Sequence, residues 1–75
     1  MDDGLVYKKM FGKKIRLERV KRDWSQEKLA EISNLNINSI STIEIGKSAP
    51  NLITIIKLAQ AFKIDLPKIL DFNFD

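Results

Sequence analysis

The 75-residue sequence contains no cysteine and no histidine. That excludes disulfides, thiolate or imidazole metal sites, and the commonest general base and nucleophile. Only 3 Gly and 2 Pro interrupt the chain, and 44% of it is hydrophobic, so it is neither fibrous nor disordered. No apolar run approaches the roughly 18 residues that a membrane-spanning helix needs. The opening MDDGLVYKKM places acids first and lacks a long apolar stretch, so no signal peptide is expected and a cytoplasmic location is. No Gly-rich phosphate loop accompanies the carboxylates, so neither an enzyme nor a bound cofactor is expected. A chain this short holds one small domain, which without staples depends on close helix packing or on oligomerising.

What is present is charge, unevenly spread. The net charge is +3, but Lys8, Lys9, Lys13, Lys14, Arg16, Arg19, Lys21 and Arg22 face only Glu18 between residues 8 and 22. Such a block fits an anionic partner as well as it fits a solvated helix.

The periodicity is helical almost throughout, and no strand is expected. A first helix spans roughly Val6 to Arg22 with Tyr7, Phe11 and Ile15 on one stripe, and Trp24 turns into the core. Ser25 is an N-cap for a second helix, Gln26 to Ser33, with Leu29, Ala30 and Ile32 apolar. Asn34 suits a left-handed position, Leu35 drops into the core, and Asn36 caps a third helix that ends near Ile45 with Gly46 as its stop. Asn51 caps a fourth helix to about Lys63, with Leu52, Ile55, Ile56, Ala59 and Phe62 inward. Asp65 caps a short fifth, in which Pro67 is tolerated and Ile69 and Leu70 close the core.

Two stripes break where a hydrophobe is due. After Phe11 and Ile15 the first helix has Glu18 and Arg19, and the Ile40–Ile43 stripe of the third helix reaches Glu44. Opposite charges can share a buried site, so a two-pronged Arg19–Glu44 ion pair is expected; otherwise both side chains reach water separately. The outward face of the same third helix, within NINSISTI, is unusual in another way. With Ile40 inward, Asn38 and Thr42 point directly outward with Ser41 beside them, Ile37 sits on the shoulder, and Asn36 falls on the inner half. These are weak helix formers, and none is charged. Short neutral donors and acceptors suit base edges in a major groove: Asn matches adenine, and a Thr or Ile methyl packs on the thymine methyl. An indifferent exposed helix is the plainer account, but the basic first helix and the tight turn before Asn36 favour the reading face.

At this point the residues resemble a family. SQEKLAEISNLNINSISTIEIGKSAPNLITIIKLAQAF, preceded by GKKIRLER, is similar to the helix-turn-helix domain of the phage repressor and Cro type, the xenobiotic-response-element family. The likeness covers Phe11 to Leu70, giving a domain 1–75 with its core at 11–70. It implies an all-α, compact five-helix bundle of the lambda-repressor-like type, with the third helix (about 36–44) in the major groove. By the resemblance Gln26 holds a phosphate at a helix N-terminus, and Asn36, Ile37, Asn38, Ser41 and Thr42 face bases. Lys47 and Ser48 touch backbone, and Arg19 pairs with Glu44. Asp23 and Asn34 stand where relatives often have Gly, and Ile45 replaces a commonly polar residue.

The implied partner is double-stranded operator DNA, read as a palindrome by a homodimer that acts as a transcriptional repressor. Leu66, Ile69, Phe72 and Phe74 are the candidate dimer interface, unless the aromatic tail folds back on its own domain. Such proteins belong to prokaryotic cells, phages or mobile elements and associate with the nucleoid when bound. SNLN followed by I-E-x-G-K leans toward controllers of restriction–modification operons. The competing reading is an antitoxin or protein-interaction module using Ile45, Phe72 and Phe74 as its contact surface.

Overall fold

The computed structural model describes residues 3–72. Five helices follow in order: α1 (Asp3–Val20), α2 (Gln26–Ser33), α3 (Ile37–Glu44), α4 (Leu52–Phe62) and α5 (Leu66–Ile69). No strand occurs among the described residues, and none of their helices is long and apolar enough to cross a membrane.

Each boundary has a local cause. Ser25 Oγ accepts from Lys28 N at 3.0 Å, Asn36 Oδ1 from Asn38 N at 2.7 Å, Asn51 Oδ1 from Thr54 N at 2.9 Å, and Asp65 Oδ1 from Lys68 N at 3.1 Å. Each cap satisfies a backbone donor that the helix itself cannot. Left-handed residues close the other ends: Asp23 after α1, Asn34 after α2 and Lys63 after α4, with φ of 62°, 57° and 58°. Helix α1 therefore stops at Val20, two residues short of the expected Arg22. The amide of Trp24 reaches back to the Arg19 carbonyl at 3.2 Å, which folds Lys21–Asp23 into a turn.

The core gathers Phe11, Ile15, Leu29, Ile40, Ile43, Leu58, Ala59, Ala61, Phe62 and Ile69, with Trp24, Leu35, Ile55 and Phe72 packed around it. Trp24 stacks on Phe62 at 5.9 Å between ring centroids, and Phe72 meets Phe11 edge-on at 6.3 Å. Several inward assignments are corrected. In α2 the buried partner of Leu29 is Ser33, one turn later, and Ile32 is exposed. Ser33 is tolerated inside because its hydroxyl donates to the Leu29 carbonyl at 2.6 Å. In α4 the inner face carries Leu58 and Ala61, while Leu52 is 61% exposed. In α5 Ile69 fills the core alone, and Leu70 turns outward. Tyr7 is half-exposed at the α1 stripe's outer end.

Helix α1 crosses the C-terminal end of α3 at a contact that only glycine permits. A Cβ on Gly12 would run into the Ile43 carbonyl oxygen and stand 2.8 Å from that of Glu44. The close approach brings the first helix directly against the helix that carries the uncharged face.

Candidate nucleic-acid interface

A polar network orients α3. Arg19 Nε donates to Glu44 Oε2 at 2.7 Å and Nη2 donates to Oε1 at 3.0 Å, the two-pronged geometry expected of that pair. Its third prong, Nη1, donates to the Trp24 carbonyl at 2.8 Å. The Glu44 hydrogen bonds raise the pKa of Arg19 further, against the effect of its burial. Gln26 Nε2 donates to the same carboxylate at 3.1 Å, while Gln26 Oε1 accepts from Ser41 Oγ at 2.8 Å. Helices α1, α2 and α3 are thus joined through Arg19, Gln26, Ser41 and Glu44. Both polar atoms of Gln26 are engaged, which leaves one Nε2 hydrogen uncommitted.

The outward residues of α3 differ in what they leave available. Asn38 is exposed, and its side chain makes no hydrogen bond among the described residues, so a full donor–acceptor pair is open. Asn36 is exposed, but its carbonyl oxygen is the helix cap, leaving its NH₂ group. Ile37 is exposed at the N-terminal end. Thr42, expected to point straight out, is half-buried. Its hydroxyl donates to the Ser39 carbonyl at 3.1 Å and meets Ser48 Oγ at 3.2 Å, so the methyl is its uncommitted part. The amides of Lys47 and Ser48 both point to the Thr42 carbonyl, at 2.9 and 3.4 Å, which ties the following loop to the outer end of α3.

The basic block resolves into two sets. Lys14, Lys21 and Arg22 converge on Glu18, at 3.1, 3.0 and 2.8 Å. Only 4% of Glu18 is exposed. Burial alone would push its carboxyl up, but the hydrogen bonds from Arg22, Lys21 and Lys14 outweigh this and lower its pKa to about 2. Arg22 also donates to the Phe62 carbonyl at 2.8 Å and lies over the Trp24 and Phe62 rings, 5.7 and 4.8 Å from their centroids. These cations are structural. Lys8, Lys9, Lys13 and Arg16 pair with no carboxylate among the described residues.

Of the residues expected at a dimer interface, Ile69 is withdrawn into the chain's own core at 0% exposure, and Phe72 is half-buried against Phe11. Leu66 keeps an open face and Leu70 joins it, while Phe74 lies outside the described residues. Sequence reasoning missed the engagement of Gln26 with Ser41, which leaves no periodic signal, and the Glu18 cluster, whose i−4, i+3 and i+4 spacing is such a signal.

A capped helix, a turn through a left-handed Asn34, and a second helix showing short uncharged side chains together define a DNA-binding helix-turn-helix module. A family model described as Helix-turn-helix (HTH_3) matches residues 15–69, and the chain belongs to that family of transcription regulators. Among solved structures it is similar to the restriction–modification controller protein C.AhdI from Aeromonas hydrophila, at 32% identity and a TM-score of 0.80, covering 83% of this chain and 94% of that one. It is also similar to the apo form of the competence regulator ComR from Streptococcus vestibularis, at 27% identity and a TM-score of 0.80, over 87% of this chain but 22% of that one. An HTH_3 family transcriptional regulator from Vibrio cholerae, at 20% identity, shares the fold with a TM-score of 0.84, over 88% of this chain and 37% of that one. Among curated proteins nothing matches.

Proposed function

We propose that the protein is a homodimeric transcriptional repressor that reads a palindromic operator with α3 in the major groove. The observation that carries the reading is the outer face of α3. Its exposed Asn36, Ile37 and Asn38 are neutral and short, in a chain where 31% of residues are charged. A helix facing only water gains nothing from such residues, whereas a helix approaching base edges gains close contact and hydrogen-bond choice. Asn38 is the principal reader, with an amide suited to adenine N6/N7. Ile37 and the Thr42 methyl pack on thymine methyl groups. Ser41, held by Gln26, sets the helix orientation as much as it reads. Gln26, through its uncommitted amide hydrogen, and Lys47 and Ser48, in the loop after α3, are the proposed phosphate contacts.

The likeness to C.AhdI, over nearly all of that chain, supports a role as a controller of a restriction–modification operon. A second reading, an antitoxin or protein-interaction module, has one feature in its favour. An apolar groove of about 290 Å³ is lined by Tyr7, Phe11, Pro50, Ile55, Leu70 and Phe72 among others, and Ile45 is 63% exposed.

Selection of binding sites from random duplex DNA separates the two. The expected result is a two-fold palindrome with half-sites about 34–36 Å apart, enriched by the natural protein and not by Asn38→Ala. Weak, sequence-indifferent binding by both proteins moves the function to a protein partner.

A further inference from the structure

The C-terminal end of α3 poses an electrostatic problem for a helix lying between two phosphate backbones. Its last turn carries Glu44 and no basic residue, and the helix dipole adds negative charge at the same end. Arg19 neutralises Glu44 internally, and three of its five N–H donors are engaged there and on the Trp24 carbonyl. Left there, this end of the helix repels a phosphate.

The N-terminal half of α1 supplies cations at that place. It precedes the residues matched by the family model, which begin at 15. Gly46, with φ of 78°, follows α3 directly, and a Cβ on it would stand 2.8 Å from Lys9 Cγ and 3.0 Å from Lys9 Cα. Lys9 therefore lies against the turn that follows α3, whose next two amides are tied to the Thr42 carbonyl. Lys13 follows one helical turn later, and i,i+4 neighbours sit about 5–6 Å apart at Cβ. Gly12, which contacts the α3 carbonyls, fixes how close this edge comes. Lys9, Lys13 and Lys47 are all exposed, and none pairs with a carboxylate among the described residues.

We infer that Lys9 and Lys13 of α1, together with Lys47, form a phosphate clamp on duplex DNA at the C-terminal end of α3. The inference rests on the reading of α3 as the groove helix and names further residues of that site. The clamp contacts backbone only, so it adds affinity at every sequence and no base preference. Lys14, Lys21 and Arg22 take no part, because they hold Glu18.

The test measures anisotropy of a labelled random-sequence 20-base-pair duplex titrated with the full chain between about 50 and 200 mM KCl. Each neutralised phosphate contributes a slope of about 0.9 in log K against log salt. Lys9→Gln is expected to lower the slope by about 0.9 and the double Lys9→Gln, Lys13→Gln variant by about 1.8. Lys9→Arg should restore the natural slope. Lys68→Gln, on exposed α5, removes the same charge and should leave the slope unchanged. A natural slope in Lys9→Gln, or an equal loss in Lys68→Gln, overturns the clamp while the groove reading stands. Failure of the natural protein to bind duplex DNA at any salt concentration overturns both.

Discussion

At the residue scale, two buried carboxylates do different work. Glu44 joins three helices, and removing it leaves Arg19 largely buried with its main partner gone. Glu44→Ala should therefore cost about 3–5 kcal/mol, read as a large fall in urea midpoint; an unchanged midpoint would show that the pair is not stabilising. Glu18 sets the acid limit. Its folded pKa of about 2 lies below the ordinary 4.5, so the stabilisation is complete above the ordinary value and is lost as pH falls from there through 2. At about 1.4 kcal/mol per tenfold in proton affinity, the contribution is at most about 3.5 kcal/mol, less for the screening of exposed Lys21. Melting temperature should drop between pH 5 and 2, and Glu18→Gln should flatten that drop. The Arg19–Glu44 pair was legible because each charge interrupts an apolar stripe. The Glu18 pairs, at i−4, i+3 and i+4, were equally open to reading; the burial of Glu18 and the seat of Arg22 on the Phe62 carbonyl and ring were not, because they depend on tertiary structure.

At the element scale, α1 and α3 are set by a glycine inside a helix. Replacing a helical glycine by alanine ordinarily stabilises by about 1 kcal/mol. Here the added methyl meets the Ile43 and Glu44 carbonyls, backbone that cannot rotate away. Gly12→Ala should reverse the usual sign, lowering the urea midpoint and weakening DNA binding, because α3 is displaced from Arg19. A stabilised, fully active variant would show that the two helices can separate without consequence. The starts of α2 to α5 were legible because capping is local chemistry: Ser25, Asn36, Asn51 and Asp65 each bond an amide two or three residues ahead. The buried face of α4 was not. Thr54, Lys57 and Gln60 are the only polar residues of Leu52–Phe62, and their spacing of three leaves several apolar stripes equally good. Packing against α2 and α5 makes the choice, and with it Leu52 and Ile53 are left facing out.

At the scale of the whole molecule, one α3 spans too few base pairs for tight operator binding, which is why the proposed reader is a dimer. The face available for it has shifted from the one the sequence implied. Ile69 is used up inside the protomer, whereas Leu66 and Leu70 remain exposed on α5 and just after it. A two-fold axis through that surface would place the same two leucines of each protomer against each other, as an isologous contact requires. Leu70→Glu puts a like charge on both sides of the axis at a residue that is 45% exposed and absent from the buried core, so the protomer itself should fold with an unchanged circular dichroism spectrum. Sedimentation equilibrium should then report a monomer for the variant and a dimer for the natural protein. Affinity for the full palindrome should fall at least tenfold while affinity for an isolated half-site stays the same. Equal losses on both would mean that Leu70 supports the fold or the DNA face. A variant that remains dimeric would move the interface to the exposed Leu52 and Ile53 of α4.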